Sequence, residues 1–283
     1  MSYVVTGATG RLGRQVVEHL LARGTDPAEV VATGRSTEKL ADLAERGVRT
    51  ARLDFDDVPA DAFAAGDVVL LVSGSEVGRR VEQHRNVIDA AASAGVARLL
   101  YTSAPAATDT TLVLAPEHAA TEQALGESGL STTVLRNGWY TENYRGAYDQ
   151  AAATGVLLTS TGEGRVASAP IADFADAAAV AMLDDAWAGR VLELSGDRAW
   201  TFGELATAFS TAAGREVTHR AVGSEEHQRA LLDAGLDDGT AGFVVALDAN
   251  TADGLLGVTT GDLAAVLGRP TVPMETTVAG WGS

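Results

Sequence analysis

Short apolar runs alternate with amphipathic stretches along the first two thirds of the chain. The predicted strands lie at 3–6, 30–33, 48–53, 68–72, 98–102 and 132–135, with a late strand at 191–194 that rejoins the sheet. The predicted helices between them lie at 15–21, 37–45, 78–94 and 117–128. Strands that alternate with helices are typical of parallel sheets with crossover helices. The pattern therefore predicts an α/β fold built on a doubly wound parallel sheet.

The pattern changes in the second half of the chain. Residues 172–183 predict an alanine-rich helix, and short helices separated by glycine turns follow from Thr201 onward. We therefore expect a sheet domain over residues 1–150 and a smaller, mostly helical C-terminal lobe over residues 151–283. Ligands of such sheets bind outside the carboxyl ends of the strands. A substrate is expected between those strand ends and the lobe.

The composition excludes several classes of protein. The net charge of −17 argues against a nucleic-acid partner, because phosphate binding needs clustered Lys and Arg. The absence of cysteine removes disulfides, thiolate nucleophiles and iron–sulfur clusters, and the histidines lack the paired spacing of zinc sites, so no metal site is predicted. No apolar run reaches the roughly 20 residues of a membrane helix, and no secretory signal opens the sequence. We expect no membrane insertion and a cytoplasmic location.

Three glycines spaced by three follow the first strand directly. Gly7 permits a tight turn, Gly10 lets an anion approach the backbone, and Gly13 lets the next helix pack close to the strand. The N-terminus of that helix adds free N–H groups and a partial positive charge. A strand, this spacing and a helix in that order predict a pyrophosphate site of Rossmann type. The residues of this candidate site are Gly7, Ala8, Thr9, Gly10, Arg11, Leu12 and Gly13.

The end of the second strand indicates which dinucleotide is bound. In this fold an Asp or Glu at that position binds the ribose 2′-hydroxyl of NAD, whereas an Arg accommodates the 2′-phosphate of NADP. The predicted strand 30–33 is followed by Gly34 and Arg35, without a carboxylate. The planar guanidinium of Arg35 suits a phosphate dianion, and the alternative interpretation is a solvated arginine at a strand end. We therefore predict NADPH as the cofactor.

Three further motifs follow later strands. They read SGSEVG at 73–78, QHRNVI at 83–88 and LRNGWYTENY at 135–144. Together with the glycine turn, they resemble the NmrA-like atypical short-chain dehydrogenases/reductases over essentially the whole chain. Within that family the chain looks most like the bacterial NADPH:quinone oxidoreductases of the flavin-free type. The resemblance implies that residues 1–150 form an NADP-binding Rossmann domain and that residues 151–283 form a substrate-binding lobe.

The resemblance also implies roles for individual residues. Residues 7–12 would wrap the pyrophosphate, Arg35 would bind the 2′-phosphate, and Asp54 and Phe55 would border the adenine. Further implied cofactor contacts are Ser73, Gly74 and Ser75 beyond the fourth strand, and Asn137, Gly138, Trp139 and Tyr140 beside the nicotinamide and the substrate.

Several of these residues also have a purely structural interpretation. Asp54 is suited to capping a turn, and Asn137 is suited to satisfying backbone groups after a strand. For Trp139 and Tyr140 the alternative is a role as core aromatics beneath the second lobe. The sequence leaves these alternatives open.

The catalytic pair of conventional short-chain dehydrogenases, a tyrosine with a lysine four residues later, is missing. None of the tyrosines has a lysine at that spacing, and Lys39 is the only lysine. In the helix where the pair usually falls, His118 and Glu122 share one face. His118 and Tyr140 are therefore the candidate proton donors, and for His118 a packing or surface role is the alternative.

The missing pair favours an electron-poor substrate. Reducing an unactivated ketone benefits from a positioned acid, whereas a quinone needs less help because its product is an aromatic hydroquinone. We predict an NADPH-dependent oxidoreductase that transfers hydride directly, without a flavin, to quinones or similar electron-poor carbonyl or enone compounds. The alternative is a non-catalytic NADP(H)-binding redox sensor of the NmrA type. The oligomeric state stays open, with a homodimer as one option.

Overall fold

The computed structural model describes residues 1–282. Its strands are β1 (Tyr3–Val5), β2 (Val30–Gly34), β3 (Arg49–Arg52), β4 (Val68–Leu71), β5 (Arg98–Ser103), β6 (Thr132–Asn137), β7 (Val156–Thr159), β8 (Arg165–Val166), β9 (Val191–Leu194), β10 (Trp200–Thr201) and β11 (Thr218–Ala221). Its α-helices are α1 (Arg11–Ala22), α2 (Ala41–Glu45), α3 (Arg80–Ala94), α4 (Ala115–Glu127), α5 (Arg145–Thr154), α6 (Ile171–Leu183), α7 (Phe202–Ala213), α8 (Ser224–Asp233), α9 (Asp238–Ala252), α10 (Asp262–Leu267) and α11 (Met274–Ala279).

Seven strands form one parallel sheet in the order β3-β2-β1-β4-β5-β6-β9. The chain moves outward from β1 in one direction, then returns to β4 and continues in the other. Strand order therefore reverses between β1 and β4, as it does in doubly wound sheets. This arrangement confirms the predicted α/β fold class.

Two apolar cores cover the two faces of the sheet. Because successive side chains of a strand point to opposite faces, Leu70 packs in the core on the α1 and α6 side, while Leu71 packs in the core on the α3 and α4 side. All four residues of β4 are buried. The continuous hydrophobicity of this strand reflects its place at the centre of a sheet covered on both faces.

The C-terminal lobe has a third core, rich in aromatic rings. Trp200, Phe202 and Phe209 are buried there, and Tyr148 from α5 packs against Phe209 with ring centroids 5.3 Å apart. Two small sheets, β7 with β11 and β8 with β10, complete the lobe. The lobe is mostly helical, as the sequence predicts.

Parts of the chain beyond residue 150 lie on the central sheet. Strand β9 pairs with β6, and helix α6 packs along α1. The buried Arg98 of β5 caps α6, because its guanidinium donates to the carbonyl oxygens of Met182 at 3.0 Å and Asp184 at 3.1 Å. The division of the chain into domains at residue 150 stays a prediction.

The predicted helix boundaries shift by a few residues where local geometry intervenes. The predicted helix 78–94 begins at Arg80, because Gly78 has a φ of +87° and cannot start a right-handed helix. The predicted helix 37–45 divides into a 3-10 turn over 37–40 and the short α2. The helix predicted from Glu117 begins two residues earlier, at Ala115.

Candidate functional site

A cleft of 380 Å³ lies at the carboxyl ends of β1, β2 and β4. Its lining comes from the turn after β1 and the start of α1, the end of β2, the segment after β3, the loop after β4, one residue of α3 and one residue after β6. These residues are Gly7, Thr9, Gly10, Arg11, Leu12, Gly13, Gly34, Arg35, Leu53, Asp54, Phe55, Val72, Ser73, Gly74, Ser75, Glu76, Gln83 and Tyr140. Doubly wound sheets bind ligands at this position, where the strand order reverses.

The glycine turn allows the backbone to pack closely against α1. Gly7 has a φ of +59°, which favours glycine. A Cβ atom added to Gly13 would lie 2.5 Å from the carbonyl oxygen of Gly7, and one added to Gly10 would lie 3.3 Å from the same oxygen. A side chain at Gly13 would therefore force the helix away from the turn.

The N-terminus of α1 faces this cleft without competition from an acid. Helix α1 begins at Arg11, and its N-cap residue is Gly10, for which no side-chain cap is found within residues 1–282. The first helical turn contains no acidic residue. The free N–H groups and the positive end of the helix dipole are therefore open to an anion, and Arg11 adds a charge to the cleft lining.

A neighbouring cavity of 320 Å³ adds basic residues that the sequence analysis missed. Arg14 and Lys39 line it together with Arg11 and Ala8. Arg14 forms an ion pair with Asp42, which offsets part of its charge, and donates to the carbonyl oxygen of Lys39. The signal in the sequence was a basic residue one helical turn after Arg11, and a lysine four residues after Arg35.

At the end of β2, Arg35 reaches across the mouth of the cleft. Its guanidinium donates to the carboxylate of Glu76 at 2.9 Å, and its side chain is 63 % exposed. Glu76 also accepts a hydrogen bond from the Gln83 amide at 3.2 Å. Two opposite charges therefore lie together at the end of β2. The guanidinium of Arg35 follows the strand, and the carboxylate of Glu76 comes from the loop after β4.

Asp54, Phe55, Ser73, Gly74 and Ser75 all line the cleft. Asp54 lies 3.4 Å from the guanidinium of Arg52 and accepts from the amide of Asp56 at 3.3 Å. The second contact is the turn cap that the sequence offered as an alternative. Lining the cleft and capping a turn are therefore compatible roles for Asp54.

Tyr140 and Asn137 form the polar end of the site. Tyr140 lines the cleft, and its hydroxyl oxygen accepts a hydrogen bond from the Asn137 amide at 3.0 Å. Burial raises the pKa of Tyr140 to about 12, partly offset by that hydrogen bond. The side-chain oxygen of Asn137 is buried and has no hydrogen-bond partner within residues 1–282. A ligand N–H group would satisfy this oxygen.

Four predicted contact residues do not line the cleft, namely Asn137, which is hydrogen-bonded to the cleft-lining Tyr140, and Ala8, Gly138 and Trp139. Ala8 lines only the neighbouring cavity. Gly138 lies against β9, since a Cβ at this position would be 2.7 Å from the carbonyl oxygen of Leu194. Trp139 packs against the aromatic core of the C-terminal lobe. Their roles in cofactor binding stay predictions. The position of Trp139 is the one expected for a core aromatic beneath the C-terminal lobe.

His118 lies outside the cleft lining. It is buried between α4 and β5, and its Nδ1 is 2.7 Å from the Tyr101 hydroxyl. Burial, followed by the charge of Arg80, lowers the pKa of His118 to about 4. Glu122, on the same helix, instead forms an ion pair with Arg136 at 2.6 Å. The structure thus brings Tyr140 to the cleft but not His118, whose role as a proton donor stays a prediction.

Within residues 1–282, no three His, Asp or Glu side chains converge as a metal site would require. Every helix in the same range is too short or too polar to cross a lipid bilayer.

The residues of the cleft fit a dinucleotide. The glycine turn leaves room that a Cβ would fill, the α1 N-terminus suits a pyrophosphate, and one cleft lining contains both Arg35 and Tyr140. The unpartnered oxygen of Asn137 is an acceptor beside Tyr140. The groups that could bind the cofactor are therefore backbone amides, guanidinium groups, and side-chain amide and hydroxyl groups.

Comparisons with known proteins point in the same direction. Residues 7–183 match a family model described as NAD(P)H-binding. The chain is 40 % identical to Quinone oxidoreductase 2 of Escherichia coli (strain K12) over 97 % of its own length and 96 % of that relative. It is 30 % identical to an NmrA-like family domain-containing oxidoreductase, flvB, of Aspergillus flavus over 96 % of this chain and 92 % of the relative.

A solved structure has the same fold over the whole chain. It is the NADPH-dependent quinone oxidoreductase QOR2 of Escherichia coli complexed with NADPH, with a TM-score of 0.94 and 38 % identity, covering 100 % of both chains. That protein is described as binding NADPH.

Proposed function

The chain belongs to the NAD(P)H-binding family of NmrA-like oxidoreductases, and we propose that it is an NADPH-dependent quinone reductase. The observation that carries this proposal is the cleft itself, where the α1 N-terminus, the glycine turn and Arg35 surround one continuous space. Similarity to quinone oxidoreductases over nearly the whole chain supports the substrate class.

We assign the cofactor contacts along this cleft as follows. The turn from Gly7 to Leu12 would hold the pyrophosphate, and Arg35 would hold the 2′-phosphate. Asp54 and Phe55 would border the adenine, and the segment 73–75 would form the opposite wall. Asn137 and Tyr140 would lie beside the nicotinamide. When bound, NADPH supplies the hydride for the reduction.

The overall reaction adds two electrons and two protons to a quinone. One hydride comes from NADPH, one proton comes from the protein or from water, and the products are a hydroquinone and NADP⁺. Since the chain lacks a tyrosine with a lysine four residues later, no side chain lowers the pKa of its proton donor in that way. A quinone tolerates this loss because orientation of the reactants supplies most of the rate.

Tyr140 is the residue that we assign to the substrate oxygen. A phenol is protonated at neutral pH, and burial raises the pKa of Tyr140 further. Because the Asn137 amide donates to the phenol oxygen, the hydroxyl proton of Tyr140 is free to form another hydrogen bond. Tyr140 therefore orients an acceptor oxygen and can donate a proton to it.

NADPH oxidation by the purified, flavin-free protein tests this function directly. The assay follows the nicotinamide absorbance with a benzoquinone or naphthoquinone, beside a blank without protein and an Arg35→Ala variant. We expect saturable turnover with NADPH, little with NADH, and a loss in the variant. Tight NADPH binding without turnover of any quinone would instead support a redox sensor. A cytoplasmic location and a homodimer remain predictions beside this proposal.

A further inference from the structure

Helix α3 carries the sequence QHRN at 83–86. This run is part of a motif that carries the family resemblance, but the proposed function gives it no role. Three side chains of this run reach two segments of the cleft, the one after β3 and the loop after β4. We propose that Gln83, His84 and Asn86 are positioning residues that fix the adenosine-side wall of the cleft before the cofactor binds. This inference rests on the proposed function, because it concerns the same cofactor.

His84 holds the wall through the amide of Gly74. The Gly74 N–H donates to Nε2 of His84 at 2.9 Å. On the other side of the ring, Nδ1 lies 3.0 Å from the hydroxyl of Thr121, which itself donates to the carbonyl oxygen of Glu117 at 2.8 Å. Because the Thr121 proton is used on that carbonyl, Nδ1 must carry the ring proton and Nε2 must be the acceptor.

The surroundings of His84 keep this acceptor available. The side chain is fully buried, and burial is the main cause that lowers its pKa to about 3, followed by the charges of Arg80 and His118. The aromatic ring of Tyr101 packs against the imidazole, with centroids 5.3 Å apart. A protonated ring would lose its acceptor and leave the Gly74 amide unpaired, so the neutral ring is the form that fits.

The carbonyl group of Gly74 is also bound by α3. The Gly74 carbonyl oxygen accepts from Nε of Arg80 at 2.7 Å, and Arg80 also forms an ion pair with Glu117 at 3.0 Å. A Cβ atom at Gly74 would lie 3.4 Å from the Gln83 side chain and 3.7 Å from Nε2 of His84. Both polar groups of this cleft-lining residue are therefore bound to α3.

Gln83 and Asn86 hold the facing segments. The Gln83 amide donates to Asp56 at 3.1 Å and to Glu76 at 3.2 Å, which ties the segment after β3 to the loop after β4. The Asn86 amide donates to the carbonyl oxygen of Phe55 at 2.8 Å. One helix face therefore fixes both sides of the predicted adenosine pocket.

Fixing these segments in advance reduces what cofactor binding must order. A wall that is already hydrogen-bonded loses little conformational freedom when the ligand arrives, so affinity is higher than for a mobile wall. Removing the acceptor at position 84 leaves a buried amide unsatisfied, and the segment is expected to rearrange. The effect should appear in cofactor affinity and not in quinone affinity.

The experiment compares His84→Leu, which removes the acceptor, with His84→Gln, whose side-chain oxygen can accept from Gly74. Isothermal titration measures the Kd of NADPH and of its fragment 2′,5′-ADP, and amide hydrogen exchange follows Gly74. We expect His84→Leu to weaken both ligands about tenfold and to lose protection at Gly74. His84→Gln should recover most of both properties.

Two further variants separate positioning from general stability. Asn86→Ala removes a bond to the facing segment and should weaken both ligands several-fold even if His84→Leu does not fold. Ile88→Ala, on the same helix and equally buried, creates a core cavity away from the cleft lining. It should lower stability without changing the Kd of either ligand.

The outcomes distinguish this inference from the proposed function. Unchanged ligand affinity in both His84→Leu and Asn86→Ala would overturn the positioning role, whatever the protein does with quinones. If Ile88→Ala weakened ligand binding equally, the effect of the other variants would be a loss of stability, and the positioning role would also be overturned. If the wild-type protein binds NADPH but reduces no quinone, the binding comparison still tests the positioning role, because it needs no turnover.

Discussion

Arg35 and Glu76 form an ion pair across the mouth of the cleft, with 2.9 Å between the guanidinium and the carboxylate. Arg35 stands at the end of β2, where an arginine favours a ribose 2′-phosphate. Glu76 comes from the loop after β4, and its carboxylate already binds the Arg35 guanidinium. If Arg35 binds the 2′-phosphate as we propose, that phosphate must share or replace an internal anion, and we expect both residues to affect the preference for NADPH.

We expect Arg35→Ala to weaken NADPH binding about tenfold, in line with the loss of a partly exposed charge-assisted hydrogen bond. NADH has no 2′-phosphate, so its Kd should change little. Fluorescence titration of both nucleotides checks this result. Arg145→Ala serves as the matched control, since it removes another exposed arginine with one acidic partner far from the cleft lining. Equal weakening of NADPH and NADH would contradict the assignment.

Glu76→Gln should have the opposite effect. The amide keeps the size of the side chain but removes the charge that competes for Arg35 and repels a phosphate. We expect the Kd of NADPH to fall about threefold and its dependence on salt to increase. In the Arg35→Ala background the same change should have a much smaller effect. If the two changes proved independent, the ion pair would have no part in selectivity.

The sequence predicted the parts of the site that lie close together along the chain. The turn from Gly7 to Gly13 has a fixed spacing, because a strand, a turn and a helix N-terminus are local structure. Arg35 was predicted for a similar reason, as the position after a strand end. The sequence does not show which residues tertiary packing brings to the site: Glu76 lies only within a family motif, and Arg14 is marked only by its spacing from Arg11.

Side-chain direction is a second property that the sequence does not specify. Gly138 and Trp139 lie in the same run as Tyr140, yet only Tyr140 lines the cleft. Their backbone neighbours decide this: Gly138 donates to the carbonyl oxygen of Leu194 at 2.7 Å, which turns the chain toward β9. His118 shares a helix face with Glu122, but the two side chains have different partners in Tyr101 and Arg136. Helical spacing alone does not specify such partners.

Gly13→Ala should damage the cofactor site and the fold together. The added methyl would lie 2.5 Å from the Gly7 carbonyl oxygen, which is backbone and cannot move aside freely. We expect NADPH affinity to fall at least tenfold and the free energy of unfolding to fall by about 1–3 kcal/mol. Titration and urea unfolding measure the two effects.

Gly126→Ala is the matched control for that substitution. Gly126 also lies in a helix, but nothing stands within 4 Å of the position where its Cβ would be. Alanine there should stabilise the protein by about 0.5–1 kcal/mol, with cofactor affinity unchanged. A Gly13→Ala variant that bound NADPH normally would mean that the close approach of α1 to the turn is unnecessary.

Two buried histidines should make stability fall in mild acid. The pKa of His84 is lowered to about 3 and that of His118 to about 4, mainly by burial, whereas in the unfolded chain both titrate near 6.5. The contribution of the neutral histidines to the free energy of unfolding is complete above pH 6.5. It is lost as the pH falls toward the pKa values that the two histidines have in the folded protein. Each should lower the free energy of unfolding by about 1.4 kcal/mol per pH unit within that window.

Urea unfolding between pH 7 and pH 5 measures this slope. The range avoids most of the carboxylate titration and keeps Arg80, which faces both rings, charged throughout. A His118→Gln variant should show a shallower pH dependence than the wild-type protein, whatever its stability at pH 7. An unchanged slope would mean that His118 is not held neutral in the folded protein.

Tyr140→Phe tests the assignment of the proton donor. The variant keeps the ring, which packs 5.0 Å from Phe174, and removes only the hydroxyl. Because the phenol is the group that we assign to the substrate oxygen, kcat for quinone reduction should fall about tenfold, less than the effect of a general acid on an unactivated substrate. The Kd of NADPH should stay within about twofold, since no phosphate contact is lost.

Tyr144→Phe is the control for this change, because Tyr144 lies on the following turn, outside the cleft lining. Its hydroxyl should be dispensable for turnover. A normal kcat in Tyr140→Phe would remove Tyr140 as the required acid and leave the proton to water, which an electron-poor quinone tolerates. A fall in kcat confined to Tyr140→Phe, with the solvent isotope effect enlarged, would instead place proton transfer at the Tyr140 hydroxyl.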